Sequence, residues 1–172
     1  MSGKAAGADY LVPDLLAPGL RLVFCGTAPS NASAAARAYY AKPGNRFWPT
    51  LHQVGITPRR FSPQEYPQLL DLGIGLTDLC KIHSGVDAAL PDDAFDVGEF
   101  RRKLAEFRPA MVAFTSKNAA QSALGRPVGY GLQPDAWGGT RFFVLTSPSG
   151  LATRFFDIEV WRALAHQLAP PG

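Results

Sequence analysis

An apolar run that ends in a Gly/Pro turn constrains the fold of this chain more than any other feature. Residues 22–25 are Leu, Val, Phe and Cys, and the turn at residues 26–30 follows them directly. Such a run indicates a buried strand that delivers a tight loop to the edge of a sheet, where open α/β folds place ligands. A second apolar run at residues 142–145 leads into the loop at residues 146–151. The two loops can therefore frame one site.

Apolar runs alternate with helical patterns along the whole chain. We predict strands at residues 20–25, 74–79, 111–114 and 142–145, and helices at residues 47–54, 63–70, 97–107, 118–124 and 157–168. This alternation favours a mostly parallel sheet covered by helices on both faces. Because 172 residues are most simply one domain, the sequence predicts a single-domain, three-layer α/β fold.

Composition narrows the possible classes of protein. Cys25 and Cys80 each lie in an apolar run without CxxC or Cys/His spacing, so we predict buried reduced thiols rather than a disulfide. No metal-ligand spacing occurs among His, Cys, Asp and Glu, and we predict no metal and no cofactor. No apolar run approaches the ~18 residues of a membrane span, and residues 1–7 lack the apolar region of a signal peptide. We therefore expect a reducing, cytoplasmic setting away from membranes.

Charge is distributed unevenly, although the net charge is only +3. Residues 15–64 and 107–134 contain no acidic residue, whereas acids crowd into residues 65–106. Both acid-free spans contain predicted loops, so one face can be positive enough to attract phosphates. An ordinary, mildly basic surface explains the same distribution equally well.

Four short motifs resemble those of a known family. Residues 26–30 (GTAPS), 43–48 (PGNRFW), 75–79 (GLTDL) and 147–151 (SPSGL) occur in the order seen in mismatch-specific uracil/thymine-DNA glycosylases, which belong to the uracil-DNA glycosylase superfamily. The combination is far more specific than any one motif. The resemblance implies a DNA glycosylase domain over residues 15–168, with a flexible N-terminal segment at residues 1–14 and a C-terminal tail at residues 169–172.

The resemblance also implies an activity. A DNA repair enzyme of this family flips uracil out of double-stranded DNA, above all from U·G mismatches, and hydrolyses the glycosidic bond to leave an abasic site. Because no lysine is assigned as a lyase nucleophile, we expect a monofunctional, cofactor-free glycosylase. It would act as a monomer on the chromosome, in the cytoplasm of a bacterial cell.

Other functions stay open from the sequence. One is a glycosylase for another deaminated or damaged base. Another is a catalytically silent module that recognises mismatched or damaged DNA. A nucleotide-binding enzyme that uses residues 26–30 as a phosphate loop is a weaker alternative, because this loop is not GxxxxGK[ST] and lacks its lysine.

The resemblance places the base pocket on the first and last loops. Tyr40 matches the position at which the family stacks an aromatic ring on the flipped base, and stacking contributes about 1–3 kcal/mol per base. A ring that only packs in the core is the alternative for Tyr40. Backbone N–H groups of the first turn can face the carbonyl oxygens of the base. Ala28 and Ser147 stand where the family carries Asn, and the first of these asparagines positions the attacking water. The predicted substrate-binding residues are Gly26, Thr27, Ala28, Pro29, Tyr40 and Ser147.

Residues 148–151 resemble the loop that the family wedges into the duplex. Leu151 would enter the stack where the target base leaves and offset part of the cost of unstacking, unless it is an ordinary core leucine. Lys117 and Asn118 begin a predicted helix and can either hold a phosphate at its N-terminus or form a solvated cap. The predicted DNA-binding residues are Lys117, Asn118, Pro148, Ser149, Gly150, Leu151, Ala152, Thr153 and Arg154.

The departure at Ala28 leaves the attacking water without its expected partner. A carboxylate can replace the Asn, because it can orient the water, accept its proton and stabilise the cationic sugar. Asp96 is predicted to cap the helix at residues 97–107, with Glu99 at the N3 position. We therefore take Asp93 as the first candidate for water activation and Asp92 or Asp78 as the next, while a solvated turn is the ordinary role of an Asp pair.

Overall fold

The computed structural model describes residues 9–168, and a five-stranded sheet organises them. The strands are β1 (Leu22–Gly26), β2 (Ile74–Asp78), β3 (Met111–Phe114), β4 (Gly131–Trp137) and β5 (Thr140–Val144). Their order across the sheet is β2-β1-β3-β5-β4, with β4 antiparallel to β5 and every other pair parallel. The carboxyl ends of β1, β2, β3 and β5 therefore meet at one edge, as parallel pairing requires.

Helices surround this sheet. They are α1 (Asn31–Ala36), α2 (Phe47–Gln53), α3 (Val97–Phe107), α4 (Lys117–Leu124) and α5 (Ile158–Gln167). Short 3₁₀ segments occupy Pro63–Leu72, Asp87–Ala89 and Gly150–Phe155. The predicted cap of α3 is confirmed, because the backbone N–H of Glu99 donates to Asp96 Oδ1 at 3.0 Å.

The two faces of the sheet carry separate apolar clusters, because successive side chains of a strand point to opposite faces. Leu22 and Phe24 join one cluster with residues of α2 and α5, whereas Val23 and Cys25 join the other with residues of α3 and α4. Cys25 and Cys80 are buried free thiols, as predicted. The predicted single-domain α/β fold with helices on both faces is confirmed.

Two elements escape the sequence prediction. Strand β4 contains Pro134 and a register shift between Leu132 and Ala136, and it lies at the edge of the sheet. Proline is tolerated there because an edge strand leaves some N–H groups unpaired, but its presence hides the strand from pattern analysis. Helix α1 has only six residues and is capped by Ser30, whose hydroxyl accepts from the backbone N–H of Ser33.

The chain before β1 packs along β2. Leu15 and Leu76 form an antiparallel bridge, and Val12 is fully buried. Asp14 lies within the segment that the sequence prediction assigned to the flexible N-terminus, yet it is engaged in ion pairs. Residues 1–8 and 169–172 lie outside the described residues, so the predicted termini remain predictions. Between residues 9 and 168, none of the helices has the length and apolar character needed to cross a membrane.

Candidate active site

A cavity of about 430 Å³ opens at the carboxyl edge of the sheet. The loops after β1, β2, β3 and β5 all contribute to its lining, as expected for a ligand site of an open α/β sheet. The predicted substrate-binding residues all lie on this lining: Gly26, Thr27, Ala28, Pro29, Tyr40 and Ser147. The structure therefore brings the first and last loops of the sequence prediction together.

Asp78 lies in the lining of this cavity as the last residue of β2. Its register partner on β1 is Gly26, and an added Cβ at Gly26 would lie 2.7 Å from Asp78 Oδ1. The same Cβ would lie 3.3 Å from both the Tyr40 hydroxyl and Thr115 Oγ1. Glycine at this position therefore leaves the space that the carboxyl group of Asp78 occupies.

The carboxyl group of Asp78 is perturbed by its surroundings. Its residue is only 6% exposed, and burial raises its pKa from 3.8 to about 7. Lys81 and Lys103 act in the opposite direction, as does the backbone N–H of Gly26, whereas Asp14 adds to the increase. A carboxyl group that titrates near neutral pH inside a cavity is suited to accept a proton during a reaction.

Tyr40 is held rigidly beside Asp78. Its ring stacks on Phe47 with 3.9 Å between the ring centroids, and its hydroxyl lies 3.1 Å from Thr115 Oγ1. Its φ of 53° lies in the left-handed region, which only a strongly constrained non-glycine residue adopts. Burial raises the pKa of Tyr40 well above 10, so the phenol is neutral. Phe47 covers one face of the ring, and Tyr40 is half-buried and contributes to the cavity lining.

Tyr39 has a different role from its neighbour. It is only 2% exposed, and its hydroxyl donates to the carbonyl of Pro13 at 2.9 Å while accepting from Lys81 Nζ at 2.8 Å. Composition and spacing do not distinguish the two tyrosines, and only the family resemblance selects Tyr40. Both tyrosines touch the cavity lining, but Tyr39 is buried in the core cluster whereas Tyr40 is half-buried.

Asp87 joins three segments at the mouth of the cavity. Thr27 Oγ1 donates to its Oδ1 at 2.7 Å, and Asn118 Nδ2 donates to its Oδ2 at 2.6 Å. The side chain of Asn118 is therefore engaged with a carboxylate. Lys117, its exposed neighbour at the start of α4, has its Nζ 4.4 Å from the centroid of the Tyr130 ring.

The loop after β5 projects an apolar side chain. Leu151 is 70% exposed and lies beside the cavity, together with Pro148, Ser149 and Ala152. The hydroxyl of Ser149 accepts from the backbone N–H of Leu151 at 3.1 Å, which fixes the turn. A large aliphatic residue at this exposure loses apolar burial, so core packing does not account for its position.

The segment before α2 holds the loop after β5 in place. The backbone N–H of Arg46 donates to the carbonyl of Pro148 at 2.8 Å, and its guanidinium donates to Thr153 Oγ1 at 3.1 Å. Gly150 packs closely enough that an added Cβ would lie 3.3 Å from the carbonyl oxygen of Gly44. Arg154 is exposed, and its guanidinium lies 5.4 Å from the ring of Phe155.

Asp92 and Asp93 lie elsewhere. Both are exposed residues of the loop between the Asp87–Ala89 segment and α3, and neither belongs to the cavity lining. The geometry therefore favours Asp78, the other carboxylate candidate of the sequence. Thr115 was not singled out from the sequence, although it directly follows β3, so the rule that sites form at strand carboxyl ends can find it. Asp87 is one of several acids in the acidic loop after β2, and nothing in the sequence ranks it above the others.

No group of three or more His, Cys, Asp and Glu side chains within residues 9–168 is arranged to hold a metal ion. The cavity lining includes the buried carboxyl group of Asp78, tyrosine rings, several hydroxyl groups and the amine of Lys42.

Fold and site together define an α/β protein with an acidic, aromatic-lined cavity at the carboxyl edge of its sheet. The family model of the Uracil DNA glycosylase superfamily matches residues 13–165. The solution NMR structure of a protein described as a "putative Uracil DNA glycosylase" from Methanosarcina acetivorans is similar, with 21% sequence identity and a TM-score of 0.62 over 90% of this chain and 94% of that chain. This chain belongs to the uracil DNA glycosylase superfamily, whose members are DNA glycosylases. Membership of the mismatch-specific branch stays a prediction.

Proposed function

We propose that this protein flips uracil out of duplex DNA, with a preference for U·G mismatches, and hydrolyses its N-glycosidic bond as a monofunctional glycosylase. The observation that carries the proposal is the buried carboxyl group of Asp78, next to Gly26 and Tyr40 in the cavity. Superfamily membership supports DNA glycosylase chemistry. The U·G preference rests on the motif resemblance.

Asp78 is our candidate for activating the water. Ala28 lines the cavity but cannot hydrogen-bond through its side chain, so another polar group must orient the nucleophile. The ionised Asp78 can orient the water, accept its proton and stabilise the positive charge that develops on the sugar. Because the pKa of Asp78 is about 7, a large fraction of the protein molecules carry Asp78 as a carboxylate at neutral pH. A carboxylate with this pKa is also basic enough to take a proton from the water.

Tyr40 and the loop after β1 form the base-binding part of the proposal. The uracil ring would stack on the side of Tyr40 that faces away from Phe47. Backbone N–H groups of residues 26–30 would meet the carbonyl oxygens and stabilise the negative charge that develops on the leaving base. These groups do not depend on the side chain at position 28.

Leu151 is our candidate for the side chain that enters the DNA stack where the target base leaves. Unstacking a base costs a few kcal/mol, and an apolar side chain that fills the vacated space offsets part of that cost. Its 70% exposure beside the cavity supports this role. Thr153 and Arg154, which follow it by two and three residues and are exposed, would contact phosphates.

The surroundings of the lysines near the site support a monofunctional mechanism. Lys42 lines the cavity but is exposed, and it lacks the burial that activates a lysine amine as a nucleophile. Lys81 is buried and bonded to Asp14 and Tyr39. Hydrolysis by water is therefore favoured over formation of a Schiff base.

Single-turnover excision tests the proposal with duplexes containing U·G, U·A or T·G and with single-stranded uracil DNA. We expect uracil excision fastest from U·G, with strand cleavage only after alkali. Asp78→Asn should lower the single-turnover rate by about 10²–10⁴ without abolishing DNA binding. Asp93→Asn and Asp92→Asn are matched controls in the exposed loop and should retain the wild-type rate.

Four outcomes would change the proposal. DNA binding without excision of any base would identify a silent recognition module, and excision only of another damaged base would revise the substrate. A borohydride-trapped adduct would replace the hydrolytic mechanism by a lyase mechanism, with Lys42 as the first residue to examine. A loss of rate in Asp93→Asn but not in Asp78→Asn would move the water-activating role to the exposed loop.

A further inference from the structure

Three charged side chains form a buried cluster beside β2. Asp14 Oδ1 lies 3.1 Å from Lys81 Nζ, and Asp14 Oδ2 lies 2.6 Å from Lys103 Nζ. Both lysine side chains are only 6% exposed. Thr77 Oγ1 donates to Asp14 Oδ1 at 2.6 Å and ties the carboxylate to β2. These three residues, Asp14, Lys81 and Lys103, are called the Asp14 cluster.

The Asp14 cluster holds two ammonium groups but only one carboxylate. Burial acts to raise the pKa of Asp14, but the two lysines outweigh it and lower that pKa, so Asp14 is ionised. Burial acts to lower the pKa of Lys103, but Asp14 and Tyr10 together outweigh it and raise that pKa, so Lys103 is protonated. A buried excess of positive charge is costly unless a further negative charge lies nearby.

Asp78 is a second carboxylate near this excess, besides Glu99 on α3, whose pKa is lowered by Arg102 and also by Lys103. Asp78 directly follows Thr77, which holds Asp14, and Lys81 lies three residues further along the chain. Lys81 Nζ also donates to the hydroxyl of Tyr39, a residue of the cavity lining, at 2.8 Å. After burial, Lys81 has the largest influence on the pKa of Asp78, and it lowers that pKa.

The other titratable groups that face Asp78 are uncharged at neutral pH. Burial raises the pKa of the Cys25 thiol on β1 and of the Tyr39 and Tyr40 phenols well above their usual values. The remaining neighbours, the backbone of Gly26 and the hydroxyl of Thr115, are neutral. The ionised groups that act on Asp78 are thus the members of the Asp14 cluster.

We propose that Lys81 is a positioning residue for the proposed reaction: held by Asp14 and Tyr39 outside the cavity, it supplies the excess positive charge that keeps Asp78 as a carboxylate. This inference rests on the proposed water-activating role of Asp78. Lys81 does not line the cavity and takes no part in bond breaking. Removing its charge leaves the base pocket and the wedge in place but protonates Asp78 over a wider pH range.

The test measures the ionisation of Asp78 and the rate of excision separately. Carbon-13 NMR of the side-chain carboxyl groups, assigned with Asp78→Asn, gives the pKa of Asp78, and single-turnover rates on a U·G duplex between pH 5 and 9 give the acidic limb of the reaction. Lys81→Met should move the midpoint of the Asp78 titration and the midpoint of the acidic limb upward by about one pH unit or more. The rate at pH 6 should then be about tenfold below the wild-type rate, and the two rates should become equal at high pH. Lys103→Met should move both midpoints in the same direction by less.

Two further variants separate charge from packing. Lys81→Arg keeps the charge and should retain midpoints near the wild-type values. Asp14→Asn disturbs the same cluster but removes a negative charge, so the Asp78 midpoint should fall or stay unchanged and never rise. Arg102→Met removes an exposed cation from α3, next to Lys103, and should leave both midpoints unchanged.

An unchanged Asp78 midpoint in Lys81→Met overturns the inference, as does an equal rise in Lys81→Arg or in Asp14→Asn. Should Lys81→Met fail to fold, Lys81→Gln, which also removes the charge, carries the same test, and an unchanged midpoint in it overturns the inference. If Asp78→Asn excises uracil at the wild-type rate, the proposed water-activating role fails, and so does the role of Lys81 in catalysis, although the NMR midpoints still report whether Lys81 controls the ionisation of Asp78.

Discussion

Gly26 and Asp78 face each other across the parallel pair β1–β2, and the carboxyl group of Asp78 fills the space that a side chain at position 26 would take. The separation of 2.7 Å between Asp78 Oδ1 and an added Cβ is shorter than real Cβ contacts allow. The first loop of the site and its buried carboxyl group are therefore coupled: the backbone at position 26 fixes where Asp78 can point.

Gly26→Ala should displace the carboxyl group of Asp78 while leaving the fold intact. The added methyl group also approaches the Tyr40 and Thr115 hydroxyls at 3.3 Å, so both the water-activating and the stacking side chains are disturbed. If Asp78 activates the water, the single-turnover rate on a U·G duplex should fall by about 10²-fold, since small misplacements of a catalytic group have effects of this size. Gly129→Ala is the matched control, because nothing lies within 4 Å of its added Cβ. A wild-type rate for Gly26→Ala would contradict the role of Asp78.

Asp78→Asn should stabilise the protein although it lowers activity. Burial raises the pKa of Asp78 from 3.8 to about 7, so between these values the folded protein binds more protons than the unfolded chain. The free energy of unfolding of the wild type therefore falls as pH rises through this window, by up to about 4 kcal/mol. The amide does not ionise and avoids this loss.

Chemical denaturation at pH 5 and pH 8 measures this effect. Asp78→Asn should exceed the wild type in stability by more at pH 8 than at pH 5. Asp93→Asn, in the exposed loop, should show no such pH-dependent difference. A stability advantage that is equal at both pH values would mean that folding does not raise the pKa of Asp78.

Much of the fold follows from the sequence because its strands are short apolar runs. The runs that end at Gly26 and at Asp78 could be placed at the same sheet edge, and the cavity is found there. The sequence could not rank Asp78 above Asp93, because the difference between them is burial. That burial depends on the chain before β1 and on the loop after β2, whose positions are set by long-range contacts such as the Leu15–Leu76 bridge.

Strand β4 and Asp87 show the same limit. Pro134 weakens the local signal of β4, and only the pairing with β5 makes the segment a strand. Asp87 has no local pattern that marks it, yet its carboxylate connects the loop after β1 with the start of α4. Interactions of this kind join residues that are far apart in sequence, so they cannot be predicted from periodicity and spacing.

Leu151→Ala should reduce excision most on well-paired uracil. A base in a U·A pair costs more to unstack than one in a U·G mismatch, and single-stranded uracil needs no wedge. The loss of single-turnover rate caused by Leu151→Ala should therefore be largest on U·A, smaller on U·G and smallest on single-stranded DNA. Because Leu151 is 70% exposed, its removal should cost much less stability than the roughly 2–5 kcal/mol of a core leucine.

Leu132→Ala is the control for an exposed leucine away from the site, since Leu132 lies on β4 and is 40% exposed. It should leave all three rates unchanged. Equal losses on U·A and on single-stranded DNA in Leu151→Ala would assign Leu151 a packing role in the loop.

Lys117→Ala should weaken DNA binding in a manner that depends on salt. Lys117 is exposed at the start of α4, where its ammonium group lies against the Tyr130 ring, and the adjacent Asn118 is occupied by Asp87. If its charge neutralises one phosphate, the slope of log K against log salt should become smaller by about one unit, because one counterion fewer is released. Binding isotherms of a U·G duplex at several salt concentrations measure this slope. Arg102→Ala removes an exposed cation that is already paired with Glu99 and Glu106, and it should leave the slope unchanged. An unchanged slope in Lys117→Ala would place the phosphate contacts on the Arg154 side of the cavity instead.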